Sequence, residues 1–226
     1  MTQSSMHSVA ALKSQPQPQP RRKRGANREA LMEAALSLVG EGRHFASLGI
    51  REVARQANVV PTAFYRHFKS MDDLGLQLVD ELGLVLRRMM REAREQAPHA
   101  ERLMADSINL FMDQVLTNPA FFRFMMQGLA GETRTIREGI RSEMRFFVHE
   151  LMNDLRAMNQ LPQVTESDLE LICDLLTRTV AFSLTDILGV RPGDDQRMDQ
   201  IRHKTLRHLQ LIFLGAQQWR SKPSHS

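Results

Sequence analysis

The sequence predicts an all-α protein, and three observations lead to this prediction. Apolar residues recur at three- and four-residue spacing through most of the 226 residues, as they do along the buried side of a helix. Helix-breaking residues fall between these periodic segments, for example at Gly40, Pro119 and Pro162. No segment shows the two-residue alternation of a half-buried strand. We therefore expect a short N-terminal three-helix unit followed by a larger C-terminal helical bundle.

Composition and charge narrow the class of protein. Residues 21–70 contain ten Lys/Arg and four acidic residues, a net charge of +6. From residue 71 onward there are nineteen Lys/Arg and twenty-two acidic residues, a net charge of −3. A basic segment on a chain that is otherwise slightly acidic is typical of a protein that binds a polyanion. The single cysteine, Cys173, rules out an internal disulfide and fits a reducing cytoplasm. Without an apolar run of about 18 residues or a signal peptide, we expect a cytoplasmic protein that does not enter membranes.

The chain divides into three regions. Residues 1–20 are rich in Ser, Gln and Pro and are expected to be a disordered tail. Residues 21–70 form the basic N-terminal unit, and residues 71–220 form the second helical domain. The basic unit opens with a run of four cations, which is either a solvated segment or an arm that contacts phosphates or the minor groove of DNA: Arg21, Arg22, Lys23 and Arg24.

Capping residues and breakers set the expected helix boundaries. The first helix is predicted from an Asn27 cap to Gly40, and the second ends at Asn58, a residue that tolerates the left-handed conformation. Ser70 and Asp73 resemble a capping box at the start of a long helix. After Asn58, the next helix is predicted to begin at Pro61. The long helix that follows is predicted over Met71–Gln96 and is closed by Pro98. The remaining helices are predicted over Ala100–Leu116, Pro119–Leu129, Arg134–Met158, Glu166–Leu188 and Asp194–Arg220.

The segment from Ile50 to Phe68 has the pattern of a helix-turn-helix. Phe64 and Phe68 lie four residues apart and predict a buried side for the second helix. Thr62 and Arg66, also four apart, fall almost opposite, and Ala63 and Tyr65 lie between the two sides. A helix anchored by phenylalanines that presents Thr, Ala, Tyr and Arg outward is typical of a DNA recognition helix.

These residues resemble the TetR family of transcriptional regulators. Within that family, the strings IREVAR from Ile50, PTAFYRHF from Pro61 and DDLGLQLVDELG from Asp72 are similar to the FabR/DesT branch, which represses genes of unsaturated fatty-acid synthesis and senses acyl thioesters. The sequence departs from the family at three positions. Gly49 replaces a Ser or Thr cap, Asn58 replaces a glycine, and Met71 replaces a lysine that would contact phosphate.

The candidate DNA contacts carry different alternatives. Thr62 and Arg66 face away from the anchoring phenylalanines, so base or phosphate contact is favoured over burial. Tyr65 could pack or donate its phenol to a phosphate, and His67 could form a structural hydrogen bond instead of a DNA contact. Lys69 is an expected phosphate partner, but any surface lysine would show the same sequence pattern. The resemblance adds Arg51, and the full set is Arg21, Arg22, Lys23, Arg24, Arg51, Thr62, Ala63, Tyr65, Arg66, His67 and Lys69.

The sequence gives little support for catalysis. His149 and Glu150 begin an HExxN string that lacks the second histidine of a zinc protease motif. His203 and His208, five residues apart, point to different sides of a helix, and Cys173 has no partner nearby in sequence. We expect a protein that is not an enzyme and that uses no cofactor or metal.

The second domain is rich in Phe and Met. Core packing explains most of these residues, but methionine adapts to irregular apolar shapes, so a cavity for a flexible hydrophobic ligand is a second interpretation. Resemblance to the FabR/DesT branch implies a long-chain acyl-CoA. The candidate ligand-binding residues are Phe111, Phe122, Met125, Met126, Phe147 and Phe182.

The last two predicted helices carry apolar stripes that need cover. The resemblance implies that such a pair meets a second copy in a four-helix interface, and packing within one chain is the alternative. A dimer also suits recognition of a palindromic operator, because one short helix covers few base pairs. The candidate dimerisation residues are Leu176, Leu184, Leu209 and Phe213.

Three functional hypotheses follow. The first is a homodimeric TetR-type regulator, a repressor of fatty-acid or lipid metabolism genes, whose affinity for double-stranded DNA responds to an acyl-CoA or similar ligand. The second is a TetR-type regulator of an efflux or stress gene that responds to another hydrophobic molecule. The third, of another class, is a lipid-binding helical module that does not bind DNA.

Overall fold

The computed structural model describes residues 24–96, 100–131 and 133–221, and within these ranges the chain forms helices and no strand. The described ranges contain nine α-helices, with a single 3₁₀ turn at Phe45–Ser47 between the first two. Their bounds are α1 Arg24–Gly40, α2 Ile50–Gln56, α3 Pro61–Phe64, α4 Met71–Gln96, α5 Ala100–Thr117, α6 Pro119–Ala130, α7 Arg134–Ala157, α8 Glu166–Leu188 and α9 Asp195–Gln218. The all-α prediction is confirmed.

The predicted boundaries agree closely with these bounds from α4 onward and fail at the start of α1. The helix begins at Arg24, so Asn27 lies inside it and is not its cap. Nothing in the intervening Gly25-Ala26 blocks a further helical turn, which is the physical reason for the longer helix. The predicted tail 1–20, the arm residues 21–23 and Pro98 lie outside the described residues.

Side-chain caps fix several helix starts. Thr165 accepts from the backbone N–H of Asp168 at 3.3 Å, as expected for a cap of α8. Asp194 caps α9 through the Arg197 N–H at 3.0 Å. At α4, Ser70 accepts from the Asp73 N–H, but the Asp73 carboxylate accepts from the Lys69 N–H and not from that of Ser70. The return hydrogen bond of the expected capping box is therefore donated by the N–H of Lys69, one residue before the predicted partner Ser70.

The N-terminal unit of α1, α2 and α3 closes around aromatic anchors. Phe45, Phe64 and Phe68 are each at most 2% exposed. Between α2 and α3, the Val59 N–H reaches the Ala54 carbonyl at 2.9 Å while Asn58 adopts a φ of 54°, the left-handed helix ending predicted from its sequence. This turn sets the direction in which α3 leaves α2.

The bundle of α4 to α9 depends on close contacts between α4 and α7. A Cβ at Gly139 would lie 2.9 Å from Leu76 Cδ2, and one at Gly83 would lie 2.2 Å from Glu143 Oε2. The space at Gly83 is filled by an ion pair between Arg87 and Glu143, 2.5 Å apart, in which both side chains are partly buried. These glycines therefore set how closely α4, the helix leaving the N-terminal unit, lies on the bundle.

The two final helices complete the bundle. α8 and α9 are joined by residues 189–194 and pack on each other, while α5 and α7 cover their inner side. Among the described residues, no helix is both long and apolar enough to cross a membrane.

Gly75→Ala should destabilise the fold although it improves helix propensity. A Cβ at Gly75 would lie 2.6 Å from Ile136 Cδ1 and 3.0 Å from Phe45 Cε1. Alanine gains about 1 kcal/mol in a helix, but overpacking costs about 1–3 kcal/mol, so we expect a net loss of about 1 kcal/mol in urea unfolding.

Gly40→Ala is the matched control. Its Cβ would make only an ordinary 3.6 Å contact with Ala120 Cβ, so a change within about 0.5 kcal/mol is expected. Equal losses for the two variants would contradict the close approach at Gly75.

Candidate functional site

The predicted recognition helix is shorter in the structure than the sequence suggested. α3 is regular only over Pro61–Phe64, and the chain continues to Phe68 in helical turns, with the His67 N–H on the Phe64 carbonyl at 2.9 Å. Phe64 and Phe68 are both buried, their ring centroids 5.5 Å apart. The segment 61–68 is therefore anchored by two phenylalanines as predicted, and its other side faces outward. We call it the recognition segment.

The recognition segment exposes most of the residues predicted to contact DNA. Thr62, Tyr65 and Arg66 are exposed, and Tyr65 has 64% of its surface free. His67 is half-buried, with its ring centroid 6.5 Å from that of Phe68, in keeping with either interpretation. The prediction that Ala63 points outward is wrong, because Ala63 is only 6% exposed. It lies one residue before Phe64, on the side of α3 that is buried within the N-terminal unit.

The cations beside this segment are free of acidic partners within the described part of the chain. Arg51 on α2, Arg66 and Lys69 are exposed and form no ion pair there. Arg43, in contrast, is tied to Glu52 at 2.5 Å. Positive charge that the protein does not neutralise is available to phosphates.

Two exposed residues of this surface were not among the DNA contacts predicted from the sequence. Arg55 lies one helical turn after Arg51 on α2, and it is also exposed and unpaired among the described residues. The i, i+4 spacing in the sequence already places Arg55 on the same side of the helix as Arg51. Val60, just before α3, has 65% of its surface free. An exposed apolar side chain beside a recognition segment suits contact with a thymine methyl group. No sequence pattern separates it from the half-buried Val59.

Of the predicted basic arm, only Arg24 falls in the described residues. It begins α1. Arg21, Arg22 and Lys23 lie outside the described residues.

The bundle of α4 to α9 contains a partly open apolar cavity of about 190 Å³. All the helices from α4 to α9 contribute to its wall, whose described residues include six methionines and no charged side chain. Ser107 and Thr177 are the polar members, and the Thr177 hydroxyl donates to the Cys173 carbonyl at 2.8 Å. The lining residues are Leu86, Met89, Met90, Met104, Ser107, Ile108, Phe111, Met125, Met144, Phe147, Leu151, Leu155, Met158, Leu176, Thr177, Val180, Ala181, Leu209 and Phe213.

Three of the six predicted ligand residues line this cavity: Phe111, Met125 and Phe147. The other three do not. Phe122 is fully buried behind Phe111, ring centroids 5.7 Å apart, and Met126 packs against the core. Phe182 is 78% exposed on α8, so its prediction as a cavity residue is wrong. Helix periodicity alone does not distinguish these sides.

The predicted dimerisation residues face the interior of their own chain. Leu176, Leu184, Leu209 and Phe213 are each at most 8% exposed, and three of them line the cavity. The stripes belong to the sides of α8 and α9 that close the bundle, so these four residues follow the alternative of packing within one chain, and their prediction as dimerisation residues is wrong. A different apolar set is exposed on the two helices: Leu171, Leu175, Phe182, Leu211 and Leu214.

Among the residues that the structure describes, no catalytic constellation emerges. Burial raises the pKa of the Cys173 thiol to about 12, which keeps it in the unreactive thiol form at neutral pH. Within the described ranges, no group of three or more His, Cys, Asp or Glu side chains is placed to hold a metal ion.

Comparison with known proteins agrees with this geometry. Residues 31–78, which include the helix-turn-helix, match the family model described as bacterial regulatory proteins, tetR family. A protein of Syntrophomonas wolfei assigned to the TetR-family transcriptional regulators superposes with a TM-score of 0.71 at 13% identity, covering 85% of this chain and 97% of the other.

Two further structures share the fold. The fatty acid degradation regulator FadR from Bacillus halodurans has a TM-score of 0.61 at 14% identity, over 86% of this chain and 96% of its own. SmeT in complex with triclosan has a TM-score of 0.64 at 19% identity, over 84% and 91%. TetR-family transcriptional regulators bind DNA and are not enzymes. Residues 31–78 thus resemble the tetR family of bacterial regulatory proteins, and the chain as a whole shares the all-α fold of these structures.

Proposed function

We propose that the protein is a homodimeric repressor that binds a palindromic operator through its recognition segment and releases or tightens its hold when a hydrophobic ligand enters the cavity. The observation that carries the proposal is the exposed surface of Thr62, Tyr65, Arg66 and Lys69, held outward by two buried phenylalanines. Its cations have no acidic partner among the described residues. A surface built only to fold would not need this arrangement.

The surface divides into two roles. Thr62 and Arg66 stand on the outer side of the recognition segment, where side chains reach base edges in the major groove. Tyr65, Lys69 and Arg51 lie beside them and suit phosphate oxygens, which fix the position of the protein without selecting sequence. Arg55 and Val60 extend the same surface.

The competing class is a helical lipid-binding module that does not bind DNA. The apolar cavity suits it, but the unpaired cations around the recognition segment do not. Anisotropy titrations with labelled genomic fragments at about 50 and 200 mM salt separate the two, because phosphate contacts make affinity fall steeply with salt. Saturable, salt-sensitive binding is expected, and its absence would leave the lipid-binding module.

The ligand proposal follows from the cavity wall. A charge-free wall suits an apolar ligand or the tail of an amphiphile, since a buried unpaired charge is costly. The cavity, at about 190 Å³, exceeds the roughly 150 Å³ that holds benzene in an engineered protein but is below the roughly 300–1,000 Å³ of typical ligand pockets. A long acyl chain would therefore enter only if helices or methionine side chains moved.

That requirement links binding to regulation. A ligand that fits only an enlarged cavity binds one conformation better than another, and only such unequal binding changes affinity at a distant site. We favour a long-chain acyl thioester, with the acyl chain in the cavity and the charged head outside. FadR, of similar fold, is described as a fatty acid degradation regulator, while SmeT was seen with triclosan, so an efflux-type ligand is the second candidate.

Arg66→Ala and Thr62→Ala should relax the preference for operator over random DNA by about 1–3 kcal/mol each, the value of a direct base contact. Tyr65→Phe and Lys69→Ala should instead weaken binding to all sequences alike, and Lys69→Ala should reduce the salt slope by about 1. Anisotropy titrations with both DNAs measure these effects.

The control is Arg191→Ala, an exposed arginine in the turn between α8 and α9, which should leave both affinities unchanged. If Arg66→Ala lowered affinity equally for every sequence, Arg66 would be a phosphate contact and not a base contact.

Acyl-CoAs of increasing chain length should shift operator affinity progressively, because each buried methylene supplies about 0.8 kcal/mol until the cavity is full. Palmitoyl-CoA and oleoyl-CoA should act by different factors, since straight and bent chains fill the cavity differently. Ala181→Phe, which fills the wall, should abolish the response without weakening operator binding in the absence of ligand.

Ala130→Phe, at an exposed position outside the cavity, should keep the wild-type response. If neither acyl-CoA changed operator affinity and triclosan clearly did, the protein would be assigned to the efflux-type regulators.

The exposed apolar set on α8 and α9 should form the dimer interface. Leu211→Asp places a charge within this exposed apolar set, so sedimentation should show a monomer and operator affinity should fall. Leu84→Asp is the control, because Leu84 is 53% exposed on α4 and away from this set. An intact dimer for Leu211→Asp would place the interface elsewhere.

A further inference from the structure

α6 holds the N-terminal unit against the bundle through hydrogen bonds from one of its side chains to the backbone of the loop after α1. The Phe45 N–H donates to Gln127 Oε1 at 3.1 Å, and Gln127 Nε2 donates to the Arg43 carbonyl at 3.0 Å. A single amide side chain thus satisfies both a donor and an acceptor of one loop, more than eighty residues away in the sequence. We call this pair of bonds the Gln127 clamp.

Other contacts of α6 reinforce the clamp. The rings of Phe45 and Phe124 meet edge to face, centroids 4.9 Å apart. One helical turn earlier, Ala120 lies against the end of α1, where a Cβ at Gly40 would be 3.6 Å from its own. The N-terminal unit therefore rests on α6 along the side formed by Ala120, Phe124 and Gln127.

The same short helix also forms part of the cavity wall. Met125 lines the cavity, and it is the neighbour of Phe124 in the chain. Phe122, behind the cavity residue Phe111, anchors α6 on its inner side. A rearrangement of the cavity that moved Met125 would move a rigid helix of 12 residues, and with it the clamp.

We propose that Gln127 is a positioning residue that sets the orientation of the DNA-binding unit, and so its operator affinity, through the loop 43–45. This inference rests on the proposed DNA-binding function and adds a second connection between bundle and DNA-binding unit besides the covalent one through α4. Gln127 does not touch DNA. It acts by holding the backbone on which α1 and the 3₁₀ turn are placed.

Gln127→Leu removes both bonds at nearly constant volume. We expect a change in operator affinity of at least fivefold, the lower end of typical coupling between sites, measured by anisotropy far below the unfolding temperature. The control is Gln163→Leu, because Gln163 Nε2 likewise donates to two backbone carbonyls, of Ala216 and Gln217, at the far end of the bundle. That variant should keep operator affinity within twofold of the wild type.

A disulfide tests whether orientation is the cause. The 3.6 Å spacing of the Cβ positions at residues 40 and 120 is within the range of about 3.5–4.5 Å for disulfides, so Gly40→Cys with Ala120→Cys should crosslink on oxidation. Buried Cys173 does not compete. In the oxidised crosslinked protein, adding Gln127→Leu should change operator affinity by less than twofold, and reduction should restore the full effect.

Each other outcome rejects the inference. An effect of Gln127→Leu below fivefold would show that the clamp does not set affinity, and equal effects at Gln127 and Gln163 would indicate general loosening. An effect that persisted in the oxidised crosslinked protein would exclude orientation as its cause. If the wild type bound no DNA in a salt-sensitive manner, the proposed function would fail together with this inference, a result distinct from all the others.

Discussion

The burial of Phe45 is the contact on which the two parts of the molecule depend. This side chain belongs to the N-terminal unit, is 2% exposed, and packs edge to face on Phe124 of α6. Gly75 of α4 leaves room for it, since a Cβ there would approach its ring to 3.0 Å. One phenylalanine thus contacts both helices that connect the N-terminal unit to the bundle. Phe45 therefore fixes the position of the N-terminal unit on the bundle, and the proposed orientation of the recognition segment toward DNA depends on it.

The bundle combines a rigid seam with an adaptable interior. Where α4 lies on α7, glycines and the Arg87–Glu143 ion pair hold the helices close, and the Arg87 guanidinium lies over the Phe146 ring at 5.1 Å. Beyond that seam the wall turns to methionine and leucine, which repack at small cost. A ligand in this interior meets soft walls on one side and a fixed seam on the other. Enlargement is then taken up by repacked methionine side chains and by displacement of helices, and displacement of helices is what the proposed coupling between the cavity and DNA binding requires.

Sequence reasoning succeeded where local rules decide the outcome. The αL ending at Asn58, the Thr165 cap and the proline start of α3 depend on a few neighbouring residues, and each was predictable. It failed where the side of a helix had to be assigned. The stripe containing Leu176 and Leu209 is equally consistent with a core and with an interface, and only the packing of α5 and α7 places it inside. Phe182 and Ala63 were misassigned for the same reason.

The most direct test of the central claim is selection of bound sequences from random duplex DNA by the wild-type protein. A homodimer with one recognition segment per chain should enrich a palindrome whose half-sites are centred about 10 base pairs, or a multiple of that, apart, so that both segments meet the same face of the helix. Enrichment of such a palindrome is the predicted result. Recovery of no sequence, or of a single site without two-fold symmetry, would contradict the account of a dimeric DNA-binding regulator.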